Sequence, residues 1–263
     1  MLQTLEVEYR DDTARVWLNR PELRNALDPR LIAELTETFM DLAQDGAVRA
    51  IVLGGRGKAF CAGADLNWMR ASAAASDADN RDDALTLATL LQTIAGCPKP
   101  TLARIHGPCM AGGMGLAAAC DIAIATPAAR FALSEVRLGL IPAMISPYVL
   151  RAIGARAASR YFLTAEVFDA ETARRIGLLH DWCDEDQLDE RIGHLLAQLR
   201  LGSPDALAHT KALIRDVAGQ PIDGALLEDT AARIAQQRAS DDGREGMAAF
   251  LEKRRPSWAP PED

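Results

Sequence analysis

The sequence predicts an α/β body followed by a helical C-terminal part. Strand-like and helix-like patterns alternate over the first two thirds of the 263 residues. From Asp169 onward only helical patterns follow. A third observation locates the centre of the molecule. The stretch Ile105–Ile122 is apolar, rich in glycine, and almost free of polar side chains until Asp121. Glycine inside a helix costs ~1 kcal/mol against alanine, so Gly112, Gly113 and Gly115 need a reason. Close backbone approach to a ligand or to another element is one. A helix apolar all round is buried on all sides, and its N-terminus presents unpaired N–H groups that can stabilise an anion. A tightly packed core helix with no ligand fits the same pattern.

Taken in order, Val7 and Tyr9, then Val16 and Leu18, alternate with polar neighbours around Asp11-Asp12, which reads as a hairpin. Asn19–Leu27 is a loop. Asp28 is an N-cap with Pro29 at the first helical position, and Leu31, Leu35, Phe39 and Leu42 recur at helical spacing up to Gly46. Ala50–Leu53 is a short buried strand, and Gly54-Gly55-Arg56-Gly57-Lys58 a tight loop. Residues 71–83 are rich in Ala, Ser and Asp and read as a mobile segment before a helix over Ala84–Ile94. Pro98 and Pro100 end that helix, and Thr101–Ile105 is the strand that leads into the glycine-rich stretch. Ala123–Ala125 is a strand. Ser134 reads as an N-cap for a helix through Leu138, with Glu135 in its first turn. Tyr148–Ile153 and Arg156–Leu163 are short helices. Ala170–Ile176, Gln187–Leu199, Pro204–Val217, Ile222–Arg238 and Arg244–Arg254 complete the chain. The expected division is a core over 1–200 and a helical region over 201–263.

The net charge is −8, and the one dense basic cluster, Lys253-Arg254-Arg255, is short. Nucleic-acid binding draws on clustered Lys and Arg, whereas the helix from Pro29 carries Glu34, Glu37, Asp41 and Asp45. A nucleic-acid partner is therefore not expected. No run of 18 uncharged residues suggests a membrane span, and Met1–Glu6 lacks the basic and apolar regions of a signal peptide. The five cysteines are widely spaced with no CxxC pair, which suggests reduced thiols in a cytoplasmic setting and no zinc site. Two glycine-flanked loops, Gly63-Ala64-Asp65 and Ala111-Gly112-Gly113, each follow a strand. If those strands lie side by side, the Ala64 and Gly112 N–H groups converge into an oxyanion hole, in which one donor is worth roughly 2.7–4 kcal/mol.

These motifs resemble, in order and over nearly the whole chain, those of the crotonases, the enoyl-CoA hydratase and isomerase family. Leu18–Glu22 with Asn25-Ala26-Leu27 is similar to the family's first motif, and Phe60–Leu66 to its second. Ala111-Gly112-Gly113 through Asp121-Ile122, then Phe131, Glu135 and Gly139–Pro142, is similar to the third. Leu163–Glu166, Ala173 and Gly177-Leu178 follow, and Gly243–Met247 with Phe250–Arg254 resembles the C-terminal signature. Within the family, Asp65–Met69 and Leu133–Gly139 most resemble bacterial methylglutaconyl-CoA and isohexenylglutaconyl-CoA hydratases.

The resemblance implies a spiral of ββα repeats with an all-helical C-terminal trimerisation region, assembled as a homotrimer or a dimer of trimers. It implies an acyl-CoA thioester substrate and no separate cofactor, since coenzyme A is part of the substrate, and no metal. It gives Ala64 and Gly112 as N–H donors to the thioester oxygen and Glu135 as the acid–base group. It puts Ala62, Asp65 and Leu66 on the loop bordering the adenine, and Arg24 and Lys253 where positive side chains meet CoA phosphates. The chain departs from the pattern once. Many hydratases of the family carry a second glutamate three positions after the oxyanion glycine, and here that residue is Gly115. An enoyl-CoA isomerase, for which one glutamate suffices, is therefore the alternative to a hydratase. The space at Gly115 would admit a branched, carboxylate-bearing acyl group.

Overall fold

The computed structural model describes residues 2–260. Met1, the first residue of the Met1–Glu6 stretch, lies outside them. The chain up to Cys97, with Thr101–Gly193, forms one compact unit, and Pro98–Pro100 with the chain from His194 onward forms another. The division falls inside a helix, Leu188–Leu201.

In the first unit, strands β1 (Leu5–Arg10) and β2 (Thr13–Leu18) form the expected antiparallel hairpin, with Asp11 at φ 52° in its turn. Strand β3 (Ala50–Gly55), strand β4 (Thr101–Ile105), strand β6 (Ile122–Ala125) and strand β9 (Asp181–Trp182) extend the sheet in the order β1-β2-β3-β4-β6-β9, all parallel from β2 on. Gly54 and Gly55 belong to β3, not to the loop expected there. A Cβ on Gly54 would lie 2.5 Å from the Trp17 ring, so the glycine lets the indole lie flat on the neighbouring strand.

A second, smaller ladder runs beside this sheet. Leu27 bridges Ala64, Cys61 bridges Cys109, and β5 (Cys109–Met110) pairs with β7 (Arg130–Ala132), all in parallel. β7 then pairs antiparallel with β8 (Phe168–Asp169). Each turn of the chain thus adds one rung to the large sheet and one to the small ladder before a helix returns it. The turns are β2, Leu27 and helix α1 (Pro29–Gln44), then β3, Cys61–Ala64 and the helices α2 (Leu66–Ala74) and α3 (Asp77–Gly96). Next come β4, β5 and α4 (Gly112–Ala119), then β6, β7 and α5 (Ser146–Thr164). This is the ββα spiral that the motifs implied. Such crossovers between parallel strands bury helices against the sheet and keep one hand.

Local chemistry sets the helix starts. The Asp28 carboxylate accepts from Leu31 N at 2.8 Å, with Pro29 at the first helical position, as expected. Leu31, Leu35, Phe39 and Leu42 are all buried. Residues 71–83 are not a mobile loop. They form the end of α2 and the start of α3, capped by Ser76 Oγ on Asp79 N at 3.2 Å. Trp68 Nε1 donates to Asp83 Oδ2 at 2.6 Å and ties the two helices together, a long-range pairing that composition does not reveal. Ser134 caps nothing with its side chain: Glu135–Leu138 is a single 3₁₀ turn ended by Gly139 at φ 74°. The two short helices expected after Pro147 are the halves of α5, separated at Gly154 with φ 71°.

Helix α4 is buried on nearly every side, as its composition predicts. Gly115 opens no space, however. A Cβ there would lie 2.9 Å from Ile145 Cβ and closer still to its Cγ2, and 3.5 Å from Leu91 Cδ2. Gly115 is buried, and the room its missing side chain leaves is filled by Ile145 at the start of α5. The expectation that Gly115 contributes to substrate binding is thereby corrected: it lets α5 approach α4.

Beyond these, α6 (Ala170–Arg175), α7 (Leu188–Leu201), α8 (Pro204–Val217), α9 (Gly224–Ala239) and α10 (Asp241–Leu251) follow. Ser203 Oγ caps α8 at Ala206 N, 3.0 Å, as its sequence position suggests. In the helical unit Ile214, Ile222, Leu227, Ile234, Phe250 and Leu251 are exposed, Phe250 at 83%. No helix among the described residues is long and apolar enough to cross a membrane.

Gly115→Ala should lower stability by ~1–3 kcal/mol, the usual cost of overpacking. In an Ile145→Ala background the same change should cost less, because the nearer of the two clashing atoms, Cγ2, is gone while Cβ remains. Urea denaturation of the four proteins of this cycle tests it; equal costs in both backgrounds would show that Ile145 is not the constraint.

Candidate active site

The site grows out of the small ladder. Its rungs are parallel, so the chain leaves every rung at the same end. Ala64 and the Asp65 cap of α2, Gly112 at the start of α4, and Glu135 just after β7 therefore gather there. Direct contacts bear this out. Met110 N donates to Cys61 O at 2.9 Å, and Ala111 N to Ala132 O at 2.9 Å. A Cβ on Gly63 would meet Ala111 Cβ at 3.2 Å, one on Gly113 would meet Cys61 O at 2.6 Å, and one on Gly112 would meet Leu27 Cδ1 at 2.6 Å. The two glycine-flanked loops converge, and their glycines are what permits it.

The pairing also decides which N–H groups face outward. Leu27 N donates to Gly63 O at 2.7 Å, and Asp65 N donates to Leu27 O at 2.8 Å. Residues on either side of Ala64 are thus bound to Leu27, so the Ala64 N–H points the opposite way, because successive amides of an extended chain alternate in direction. Ala64 is exposed and its N–H has no acceptor among the described residues. At Gly112 the reason differs. Helices α1, α2 and α3 are capped by Asp28, Asp65 and Ser76, whereas α4 begins after Ala111, at φ 46° and ψ −115°, with no side-chain cap. That left-handed turn aims the first amides of α4 into the site and leaves the Gly112 N–H unpaired. A carbonyl oxygen set between the two amides would gain two donors.

Glu135 stands on its 3₁₀ turn, half-buried, with Oε2 buried and lacking any partner among the described residues. Burial raises its pKa above the ordinary 4.5, against a weaker opposing pull from its own backbone N–H. The folded protein thus holds the proton over a window in which the unfolded chain has released it. Stability carried by this group is full below 4.5 and is lost as pH rises through the folded value. Cys61, beside the Gly63-Ala64-Asp65 loop, is no nucleophile: burial pushes its thiol up to about 12.

The remaining expected residues fall into distinct places. Ala62 is half-buried, its N–H donating to Arg24 O at 3.0 Å, and Leu66 is exposed at 67%. Arg24 is exposed on the same rim at φ 52°. The Asp65 carboxylate is turned inward: it is buried, caps α2 at Asn67 N, 2.8 Å, and pairs with Arg20 at 3.0 Å. Although burial opposes it, the Asn67 amide and Arg20 hold this carboxyl below its usual range. Its part is to fix the loop, not to reach a ligand. Lys253 belongs to the helical unit, exposed at φ 55°. Two positioning residues were read only as loop. Arg20 joins Asp28 and Asp65, each at 3.0 Å, and so clamps the first loop to the second. Asn25, fully buried, donates to Arg56 O and Ala59 O at 2.9 and 2.8 Å. The Asn-Arg-Pro and Asn-Ala-Leu runs were visible, but their partners lie far off in sequence.

The ββα spiral, with converging loops beside a half-buried glutamate, is the architecture of an enzyme family. The chain matches the enoyl-CoA hydratase/isomerase family model over residues 8–261 and belongs to that family, the crotonases. It is similar to the crystal structure of an enoyl-CoA hydratase from Shewanella pealeana, at 41% identity and TM-score 0.95, covering 98% of this chain and 96% of that one. A Pseudomonas aeruginosa structure, AtuE, superposes at TM-score 0.93 with 39% identity, covering 98% and 100%. The Alternaria alternata enoyl-CoA hydratase ACTT6 is 40% identical over 80% of this chain and 69% of its own length.

Proposed function

We propose that this protein hydrates an α,β-unsaturated acyl-CoA, with Glu135 as its acid–base residue and the Ala64 and Gly112 amides as its oxyanion hole. The carrying observation is the buried, unpartnered Glu135 Oε2 at the end of the ladder where the two unpaired amides gather. The thioester oxygen accepts from both amides, which stabilises the enolate that forms as water adds to the β-carbon. Glu135 takes a proton from that water and returns it to the α-carbon, so the step is balanced with one carboxylate. Burial raises its pKa above the ordinary carboxyl value, the direction that suits a group which must release a proton as well as take one. Arg24, and Lys253 from a neighbouring subunit, serve the CoA phosphates, and Ala62 and Leu66 the adenine. No separate cofactor or metal takes part.

The acyl group we assign is a branched glutaconyl-type thioester. Support comes from the Asp65–Met69 and Leu133–Gly139 stretches, and no longer from space at Gly115, which Ile145 occupies. One observation favours a second reading, the enoyl-CoA isomerase: Gly115 supplies no second acid to orient water. The exposed apolar face of the helical unit supports assembly as a trimer or a dimer of trimers.

Glu135→Gln should cut turnover by at least ~10² with CoA affinity little changed. The same variant should melt higher than wild type at neutral pH, and the gap should close below pH 4.5. Near-normal turnover would overturn the assignment. Ala64→Pro, which deletes an amide that makes no internal bond, should cost about 2.7–4 kcal/mol in kcat/KM, while Ala64→Ser stays mild. Equal damage from both changes, in folded proteins, would argue against backbone donors. In a panel of thioesters read by mass spectrometry, branched glutaconyl-CoA should gain water at least ~10²-fold more efficiently than crotonyl-CoA, a gap of about 2.7 kcal/mol. Faster isomerisation of 3-enoyl thioesters than any hydration would select the second reading. Light scattering should give three or six times the chain mass, and a monomer at micromolar concentration would refute the assembly.

A further inference from the structure

Among the described residues, four buried side-chain polar atoms lack a partner: Glu135 Oε2, Arg15 Nε, Trp17 Nε1 and His106 Nδ1. The first belongs to the candidate active site. The other three line one cavity of about 400 Å³ on the opposite face of β2 from the core. The period of two explains the placement. Ala14, Val16 and Leu18 point inward and are fully buried, so Arg15 and Trp17 emerge on the other face.

The cavity is built, not incidental. The Trp17 side chain is 6% exposed, and those of Arg15 and Arg104 are 11% and 13% exposed. Arg56 and Arg104 lie over the Trp17 ring, at 4.3 and 5.5 Å from its centroid, and fix the indole in place. Asp189 anchors Arg104 at 2.8 Å and Arg15 at 3.1 Å, and Glu8 holds Arg56 at 2.5 Å. Arg104 holds the Asp189 carboxyl below its usual range, and Arg56, with a lesser pull from the nearby Trp17 N–H, does the same for Glu8, so both stay ionised. With Arg10 also lining the cavity, four arginines face three carboxylates, because Glu6 pairs with Arg56 at 2.9 Å beside Glu8. In a chain of net charge −8 this is a local positive well.

The unpartnered atoms specify more than charge. Arg15 Nε and Trp17 Nε1 can only donate. His106 Nε2 lies 2.9 Å from Gly57 O, a pure acceptor, so Nε2 carries the hydrogen. Burial lowers the His106 pKa, so the neutral ring leaves Nδ1 as an acceptor. A ligand that satisfies all three must be anionic and must also carry one donor. We propose that this cavity binds a hydrogen-phosphate-class oxyanion. Its P–O⁻ oxygens accept from Arg15 and Trp17, and its P–OH donates to His106. Carboxylates and sulfate offer the acceptors at neutral pH but not the donor. The cavity lies on the large sheet, whereas the two free amides and Glu135 lie at the end of the small ladder.

The test is calorimetric titration of the full chain with inorganic phosphate at pH 7 and constant ionic strength, repeated with sulfate, with acetate, and with coenzyme A at saturation. Saturable phosphate binding, at least ~10-fold tighter than sulfate or acetate and retained with coenzyme A bound, is expected. Trp17→Phe keeps the ring and deletes its N–H, and Arg15→Lys keeps the charge and deletes Nε. Each should weaken phosphate at least ~10-fold, and either one that folds suffices. Non-saturable binding, equal affinity for sulfate, displacement by coenzyme A, or wild-type affinity in the folded variants would overturn the proposal.

Discussion

The small parallel ladder, running through Leu27, Ala64, Cys61, Cys109 and Phe131, is the constraint on which the rest of the molecule depends. Parallel rungs send every segment out at the same end, so a shared exit point for three loops is a property of the backbone before any side chain acts. The ladder also uses up amides on one side of each segment. Because the flanks of Ala64 bind Leu27, the Ala64 N–H is left over, facing the exit. Amides left over in this way need no polar side chain, so a stretch as apolar as Ile105–Ala119 can still present hydrogen-bond donors.

Rigidity at that exit comes from polar groups placed behind it. Arg20 joins the caps of two consecutive helices, Asp28 and Asp65, so the starts of α1 and α2 cannot move independently. Breaking a largely buried pair of this kind leaves uncompensated charge and costs more than the pair itself contributes. Asn25 fastens the same loop to the Arg56–Ala59 carbonyls. Pre-organised donors are effective because they need no reorganisation as charge develops. The residues that hold the donors still therefore matter as much as the donors.

Burial has opposite consequences for the two ionisable groups near the exit. Cys61 is sealed, and its thiol is kept protonated and inert. Glu135 is half-buried with Oε2 sealed, and the same desolvation raises its pKa above its ordinary value, so it holds a proton that a free carboxyl would release. Two kinds of site thus share a signature, an unpartnered buried polar atom, once beside the exit and three times around the Trp17 cavity.

Much of this was legible in the sequence because it is local. The Asp28-Pro29 start of α1, its Leu31–Leu42 stripe, the Ser203-Pro204 cap and the all-round apolar α4 follow from spacing and capping alone, and the motif series identified the family. The glutamate of Leu133–Gly139 was also plain. Tertiary structure decided what depends on distant partners. Residues 71–83 look mobile from their Ser and Asp content, yet they are helical, and the Trp68–Asp83 bond ties the two helices together. Asp65 looked free to meet a ligand, yet Arg20 and its own helix claim it. The absence of a side chain at Gly115 looked like room for substrate, but whether a gap stays open depends on what packs against it, and Ile145 closes it. Sequence names the groups available at each position. Which of them remain unpaired is set only when chain segments far apart along the sequence meet.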